Sequence, residues 1–121
     1  MWDFRNDRPI YLQIIEQIKQ GVVSGAYAPG TKLASVRDLA AEASVNPNTM
    51  QKALSELERE GLVYTNRTMG RFITEDSAVV ERIREEFVAE HTRAFLRKMR
   101  AAGYTRAEIQ EFLERMTDAE E

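Results

Sequence analysis

Two amphipathic helix patterns lie only a few residues apart in this chain, and that spacing restricts the folds open to it. The first pattern, VRDLAAEA, follows a start at Ser35 and Asp38 that resembles a capping box, and the second ends at Gly61, a typical left-handed cap. Between them, Asn46 is predicted to cap the second helix, and Pro47 to occupy its first position, where a missing N–H is harmless. The two predicted helices therefore share a very short turn.

The flanking segments complete a recognisable order of elements. A helix starting at Pro9 precedes the pair, with Ile14, Ile15, Ile18 and Val22 on one face, and Leu33 is placed to begin a short strand. After the pair, LVYTN and RFITE read as two strands joined by Arg67-Thr68-Met69-Gly70. This order is that of a winged helix-turn-helix, and it assigns residues 1–76 to one domain of a mainly α protein of α+β class.

Residues 77–121 follow a different pattern, a long amphipathic helix and a last helix capped by Thr105 and Glu108. Their large apolar groups predict a helical dimerisation tail, while helices folded back on the core are the alternative. His91 lies on or near the apolar stripe and is interpreted as a packed residue rather than a ligand or a switch. The predicted interface consists of Val80, Ile83, Phe87, His91, Phe95, Met99, Ile109, Phe112, Leu113 and Met116.

The composition argues against several classes of protein. The 121 residues include no cysteine and a single histidine, which excludes disulfides and makes a histidine-based metal site implausible. No apolar run is long enough to cross a bilayer, and the N-terminal segment lacks the apolar region of a signal peptide, so a cytoplasmic protein is expected. Without a Ser/Cys–His pair, a metal cluster or a phosphate loop, we expect neither an enzyme nor a cofactor.

The net charge of −3 does not favour nucleic-acid binding. Residues 1–76 hold 9 Lys/Arg and 10 Asp/Glu, and residues 77–121 hold 8 and 10, so neither part is basic. A case for DNA must therefore rest on the positions of the cations.

The outward face of the second helix of the pair carries amides, a hydroxyl and cations, namely Asn48, Gln51, Lys52, Ser55 and Arg59. Asn and Gln recognise adenine, and Lys and Arg recognise guanine, from the start of a helix in the major groove. One alternative is a solvated polar face. A second alternative is a winged helix that binds another protein, although this face lacks large apolar groups.

Arg67 and Arg71 make the hairpin basic, which suits phosphate or minor-groove contact. Arg37 suits either DNA or an ion pair with Asp38 or Glu42.

The segments PIYLQIIEQIKQGVVSGAYAPGTKL, SVRDLAAEASVNPNTMQKALSELEREGLVYT and GRFI together resemble the GntR family of bacterial transcriptional regulators. The similarity runs roughly from Phe4 to Thr74, and the short helical tail is similar to that of the YtrA-type subfamily. The resemblance implies a dimeric repressor of a palindromic DNA operator, with a possible small-molecule effector of unknown identity. It places at DNA-contacting positions the residues Arg37, Asn46, Asn48, Thr49, Gln51, Lys52, Arg67 and Gly70.

The chain departs from the family pattern at two places. Leu33-Ala34-Ser35 stands where the family commonly has Leu-Pro-Ser, and Thr68 stands where glycine is frequent. The second departure predicts a stiffer wing tip.

Overall fold

The computed structural model describes residues 2–120, and its elements follow the predicted order. Met1 and Glu121, the outermost residues of the two predicted domains, lie outside the described residues. The elements are α1 (Ile10–Val23), α2 (Val36–Ala43), α3 (Pro47–Arg59), β1 (Val63–Asn66), β2 (Gly70–Ile73), α4 (Ser77–Ala101) and α5 (Arg106–Glu120). The fold class is confirmed: a small antiparallel hairpin accompanies helices that form the rest of the regular structure.

The core of the winged unit is built mainly from the inner faces of α1 and α3. Ile14 and Ile18 of α1 are 0% and 1% exposed, and Met50, Leu54 and Leu57 of α3 are all fully buried. Full burial of such a side chain contributes roughly 1.5–3 kcal/mol each, so this contact accounts for much of the unit's stability. On the apolar face predicted for α1, Ile14, Ile18 and Val22 are buried and Ile15 is half-buried.

The hairpin pairs β1 with β2 in a register that sets Val63 opposite Ile73 and Asn66 opposite Gly70. Val63 and Ile73 face the core, being 1% and 0% exposed. The short strand predicted at Leu33 is reduced to a single bridge between Lys32 and Phe72. The Leu33 N–H still donates to the Arg71 carbonyl at 2.8 Å, so this segment closes the free edge of β2.

Packing divides the chain into two compact units, one ending at Phe87 and one starting at Val88. The division falls inside α4, whereas the predicted domains meet at its beginning. The reason is that the first turns of α4 belong to the winged core: Ile83 is 1% exposed, and Val79 and Val80 are half-buried against it. Ile83 therefore packs within one chain, which differs from its predicted place at an interface between chains.

In the second unit, α5 begins with the predicted capping box. The Thr105 N–H donates to Glu108 Oε1 at 2.9 Å, and the Glu108 N–H donates to Thr105 Oγ1 at 3.2 Å. The bond from the Thr105 N–H foremost, and then the Thr105 side chain, hold the pKa of the Glu108 carboxyl below its ordinary value. Gly103, with φ +91°, makes the left-handed turn between α4 and α5.

An N-terminal clamp, which the sequence did not indicate, is formed by Gln13 of α1. Its side chain is 2% exposed, accepts from the Arg5 N–H at 2.7 Å, and donates to the carbonyls of Arg5 and Arg8 at 2.8 and 2.9 Å. The clamp holds the segment before α1, in which Trp2 and Phe4 stack at 6.0 Å and pack against the winged core.

We expect Gln13→Ala to loosen this segment, because three of its hydrogen bonds are lost, while two between Gln17 and the Asp3 backbone remain. The free energy of unfolding should fall by about 1–3 kcal/mol. Trp2 is the only tryptophan, so release should also shift its fluorescence emission to the red and increase acrylamide quenching. Gln20→Ala, an exposed position on the same helix, is the control. Unchanged emission together with an unchanged free energy of unfolding in Gln13→Ala would contradict the clamp.

The contribution of the Asn46 cap to stability can be measured in the free protein, without any DNA. The Asn46 side chain accepts from the Asn48 N–H at 2.7 Å, as predicted. We expect Asn46→Ala to lower the free energy of unfolding by about 1 kcal/mol, and Asn46→Asp to stay near wild type because it keeps the accepting oxygen. Urea denaturation followed by circular dichroism measures both. An Asp variant as unstable as the Ala variant would show that the cap contributes little.

Candidate nucleic-acid interface

The start of α3 presents polar side-chain groups that make no hydrogen bond within the helix. Capping uses only the side-chain oxygen of Asn46, so its amide N–H groups remain available to a ligand. Pro47 occupies the first position, as predicted. Asn48 is exposed and Thr49 is half-buried, and within residues 2–120 neither side chain has a hydrogen-bond partner.

The outer face of α3 changes character along the helix. In its first half, Gln51 is half-buried and donates from Nε2 to Ser55 Oγ at 3.1 Å, which orients the amide. Toward its end, Arg59 is paired with Glu56 at 2.7 Å. The first half therefore carries free donors and acceptors, whereas the only cation of the second half is paired with a carboxylate.

Lys52 has a neighbour that the helical pattern of α3 could not reveal. Its Nζ lies 3.7 Å from the centroid of the Tyr11 ring, on α1. The lysine is exposed and, among the described residues, has no carboxylate partner. The contact restrains the ammonium while leaving its positive charge uncompensated.

The tip of the wing is organised by Asn66. Its Oδ1 accepts from the Thr68 N–H, the Thr68 hydroxyl and the Met69 N–H at 3.0–3.2 Å. Thr68 needs no left-handed backbone, since Ser44 is the only non-glycine with positive φ in the described chain. The Thr68 hydroxyl bond adds a side-chain contact within the tip, and the stiffness expected from Thr68 stays a prediction. Arg67 projects from the same turn and is exposed.

Gly70 allows the wing to approach the segment before α2. Its φ is +110°, and a Cβ there would lie 3.2 Å from Lys32 Cε. Arg71, the next residue, is half-buried, and its Nε is buried without a hydrogen-bond partner. Both residues line a groove between the wing and the start of α2, and the wall of that groove also includes Lys32 and Ser35.

Arg37 lies on the exposed side of α2, one residue after Val36 on the wall of this groove. The sequence left open an ion pair with Asp38 or Glu42. That pair is not formed in the part of the chain that the structure describes, so the guanidinium is available to another partner.

The cations of the winged unit fall into two groups. Those of the N-terminal segment, α1, the end of α3 and α4 are held by carboxylates at 2.6–3.5 Å: Arg5, Arg8, Lys19, Arg59, Arg82 and Arg84. Those of the wing, the segment before α2, the start of α2 and the first half of α3 have no carboxylate partner within residues 2–120: Lys32, Arg37, Lys52, Arg67 and Arg71. The weakly negative total therefore conceals a local group of five cations without a carboxylate partner in the described chain, although Asp38 also lines the groove beside them.

Within residues 2–120, no group of three or more His, Cys, Asp or Glu side chains is arranged to hold a metal ion. No helix in this part of the chain has both the length and the apolar character of a membrane span.

Known proteins resemble this chain both over the winged unit and over nearly its full length. Residues 10–73, more than half of the chain, match the family described as bacterial regulatory proteins, gntR family. The HTH-type transcriptional regulator YhcF of Bacillus subtilis is 39% identical over 115 residues, 95% of each chain. The transcriptional repressor YtrA of the same organism is 49% identical over 75 residues, 62% of this chain and 58% of that protein.

Two solved structures extend the comparison. A GntR family transcriptional regulator from Listeria monocytogenes superposes with a TM-score of 0.86 at 36% identity, over 93% of this chain and 98% of that one. The DNA-binding domain of AraR, solved in complex with operator ORX1, superposes with a TM-score of 0.56 at 25% identity, over 61% of this chain and 95% of that one. The family match and the near full-length likeness to YhcF establish that this chain belongs to the GntR family of DNA-binding transcriptional regulators, where it resembles the YtrA-type members.

Proposed function

We propose that the chain is a dimeric, sequence-specific repressor that binds a palindromic operator in the cytoplasm and is released by a small-molecule effector. The observation that carries the proposal is the uncompensated cation group beside the free amides at the start of α3. The repressor assignment is supported by the likeness to YtrA, which is named as a repressor. Neither a metal nor a cofactor takes part in this proposal.

The first half of α3 is proposed to enter the major groove. Asn48, Gln51 and Lys52 would contact base edges, since amides suit adenine and a lysine suits guanine. Asn46 and Thr49 would add contacts at the helix start, where recognition helices approach the bases. The absence of a carboxylate between residues 46 and 55 keeps repulsion of the DNA backbone low.

The flanking cations are proposed to bind the phosphate backbone and the minor groove. Arg37 would reach a phosphate from the start of α2, and Arg67 and Arg71 would extend from the wing, whose close approach depends on Gly70. The AraR domain, which has the same fold, was solved with an operator, and this supports a DNA-facing orientation of the winged unit here.

The second unit is proposed to join two copies of the chain. Several of its large apolar side chains are exposed to solvent in the single chain. Phe112, Leu113 and Met116 are 40%, 43% and 50% exposed, and Val88 is 56% exposed. Exposed apolar groups of this kind are typical of an interface. The proposed interface retains Phe87, His91, Phe95 and Met99, of which His91 is exposed and the other three are half-buried. Ile83 and Ile109 are buried in one chain and Val80 is half-buried against the winged core, so these three would support the interface from within.

A dimer also fits the proposed operator. Two copies related by a two-fold axis place two recognition helices on two half-sites, about one turn of DNA apart.

We expect Asn48→Ala and Lys52→Ala each to weaken operator binding by roughly 5- to 140-fold, the equivalent of one good base contact, and to leave the fold intact. The operator is first enriched from a randomised duplex pool. Fluorescence anisotropy then compares it with a scrambled duplex at fixed salt.

The control is Arg84→Ala, which removes an equal charge from α4, where the arginine is paired with Glu81 at 2.6 Å. It should bind like wild type. Failure to enrich any sequence, or equal affinity for the enriched and scrambled duplexes, would contradict sequence-specific binding.

We expect the double variant Leu113→Glu/Met116→Glu to be monomeric, because two carboxylates would be desolvated in the proposed interface. Analytical ultracentrifugation measures the mass of the particle in solution. Glu111→Gln/Glu114→Gln, two exposed polar positions on the same helix, should remain dimeric. A persistent dimer in the first variant would place the interface elsewhere.

A further inference from the structure

We infer that Tyr11 is a positioning residue for DNA recognition, holding the Lys52 ammonium at the start of α3 without cancelling its charge. This inference rests on the proposed operator binding. It assigns a functional role to a residue of α1, a helix that contributes none of the predicted DNA contacts.

The geometry that carries the inference is the position of Nζ, 3.7 Å from the ring centroid. This is well inside the range of about 6 Å over which a cation is attracted to an aromatic face. The Tyr11 ring is itself fixed, because it is half-buried and packs against the core that joins α1 to α3. The ammonium is thus held by a rigid platform on a neighbouring helix.

The chemical consequence differs from that of an ion pair. Lys19 and Arg59 are also restrained, but by Glu60 at 2.9 Å and by Glu56 at 2.7 Å, and these carboxylates offset their charge. A ring face restrains lysine through its quadrupole and accepts no conventional hydrogen bond. The ammonium of Lys52 therefore keeps its charge and its N–H donors for a guanine edge or a phosphate.

The benefit to binding is entropic. A free lysine side chain loses substantial rotamer freedom when a complex orders it. A lysine already held over Tyr11 loses less at the moment of binding, which is the effect of preorganisation. Tyr11 would contribute in this way without touching the DNA.

The test compares Tyr11→Phe, Tyr11→Leu and Tyr11→Met, each alone and combined with Lys52→Ala, by anisotropy on the enriched duplex. Phenylalanine keeps the ring and should bind like wild type. Leucine and methionine keep apolar packing but remove the ring, and should weaken binding by about two- to fivefold. In the Lys52→Ala background, none of the three should have a further effect. Leu12→Ala, at the exposed neighbouring position, is the control.

A second readout reports the contact itself. Ring currents should shift the ε-methylene protons of Lys52 upfield in wild type and Tyr11→Phe, and this shift should vanish in Tyr11→Leu and Tyr11→Met. Circular dichroism melting identifies any variant whose fold is lost. If Tyr11→Leu or Tyr11→Met is lost in this way, the binding of the other one tests the role of the ring.

Several results would overturn the inference: a Phe variant as weak as the Leu variant, equal losses with and without Lys52, tighter binding by Leu, or no upfield shift in wild type. If wild type itself fails to distinguish the enriched duplex from the scrambled one, the proposed function fails instead. If wild type distinguishes them and both ring-free variants match it, only the role of Tyr11 fails.

Discussion

The packing of α1 against α3 determines the rotation of α3, and the candidate interface depends on that rotation. Met50, Leu54 and Leu57 are fully buried against a face that includes Ile14 and Ile18. Because an α-helix repeats about every 3.6 residues, burying one stripe turns the opposite stripe outward. The same contact between helices also brings the Tyr11 ring beneath Lys52.

In the winged unit, the positive surface arises because some cations are paired with carboxylates and others are not, rather than because cations outnumber carboxylates. Residues 1–76 contain nearly equal numbers of cations and carboxylates. At the end of α3, Glu56 is paired with Arg59 and the following Glu60 with Lys19, whereas Glu58 accepts a hydrogen bond from the neutral Thr65 hydroxyl. The cations of the wing and of the helix starts are left uncompensated. Net charge alone therefore gives a misleading impression of this surface.

Local patterns predicted much of the fold because the decisive signals act over a few residues. The Asn46 cap, the left-handed Gly61, the Thr105–Glu108 capping box and the hairpin each depend on neighbours in sequence, and each is present. The strand at Leu33 was overestimated, because its pairing depends on a distant partner and amounts to one bridge. The buried Gln13 was missed because its partners are backbone groups of a segment without a helix or strand pattern.

The sequence by itself determined which side chains lie on each face of α3 and which residues begin and end the helices, since helical periodicity and capping are local properties. Only the tertiary structure decided which cations are unpaired, that Arg37 has no acidic partner, and that Lys52 rests on Tyr11. It also decided that Ile83 belongs to the winged core, although its spacing matched the apolar stripe of the tail. Pairing and burial depend on groups brought together from distant positions, so they follow from the packing of whole helices rather than from the pattern along any one of them.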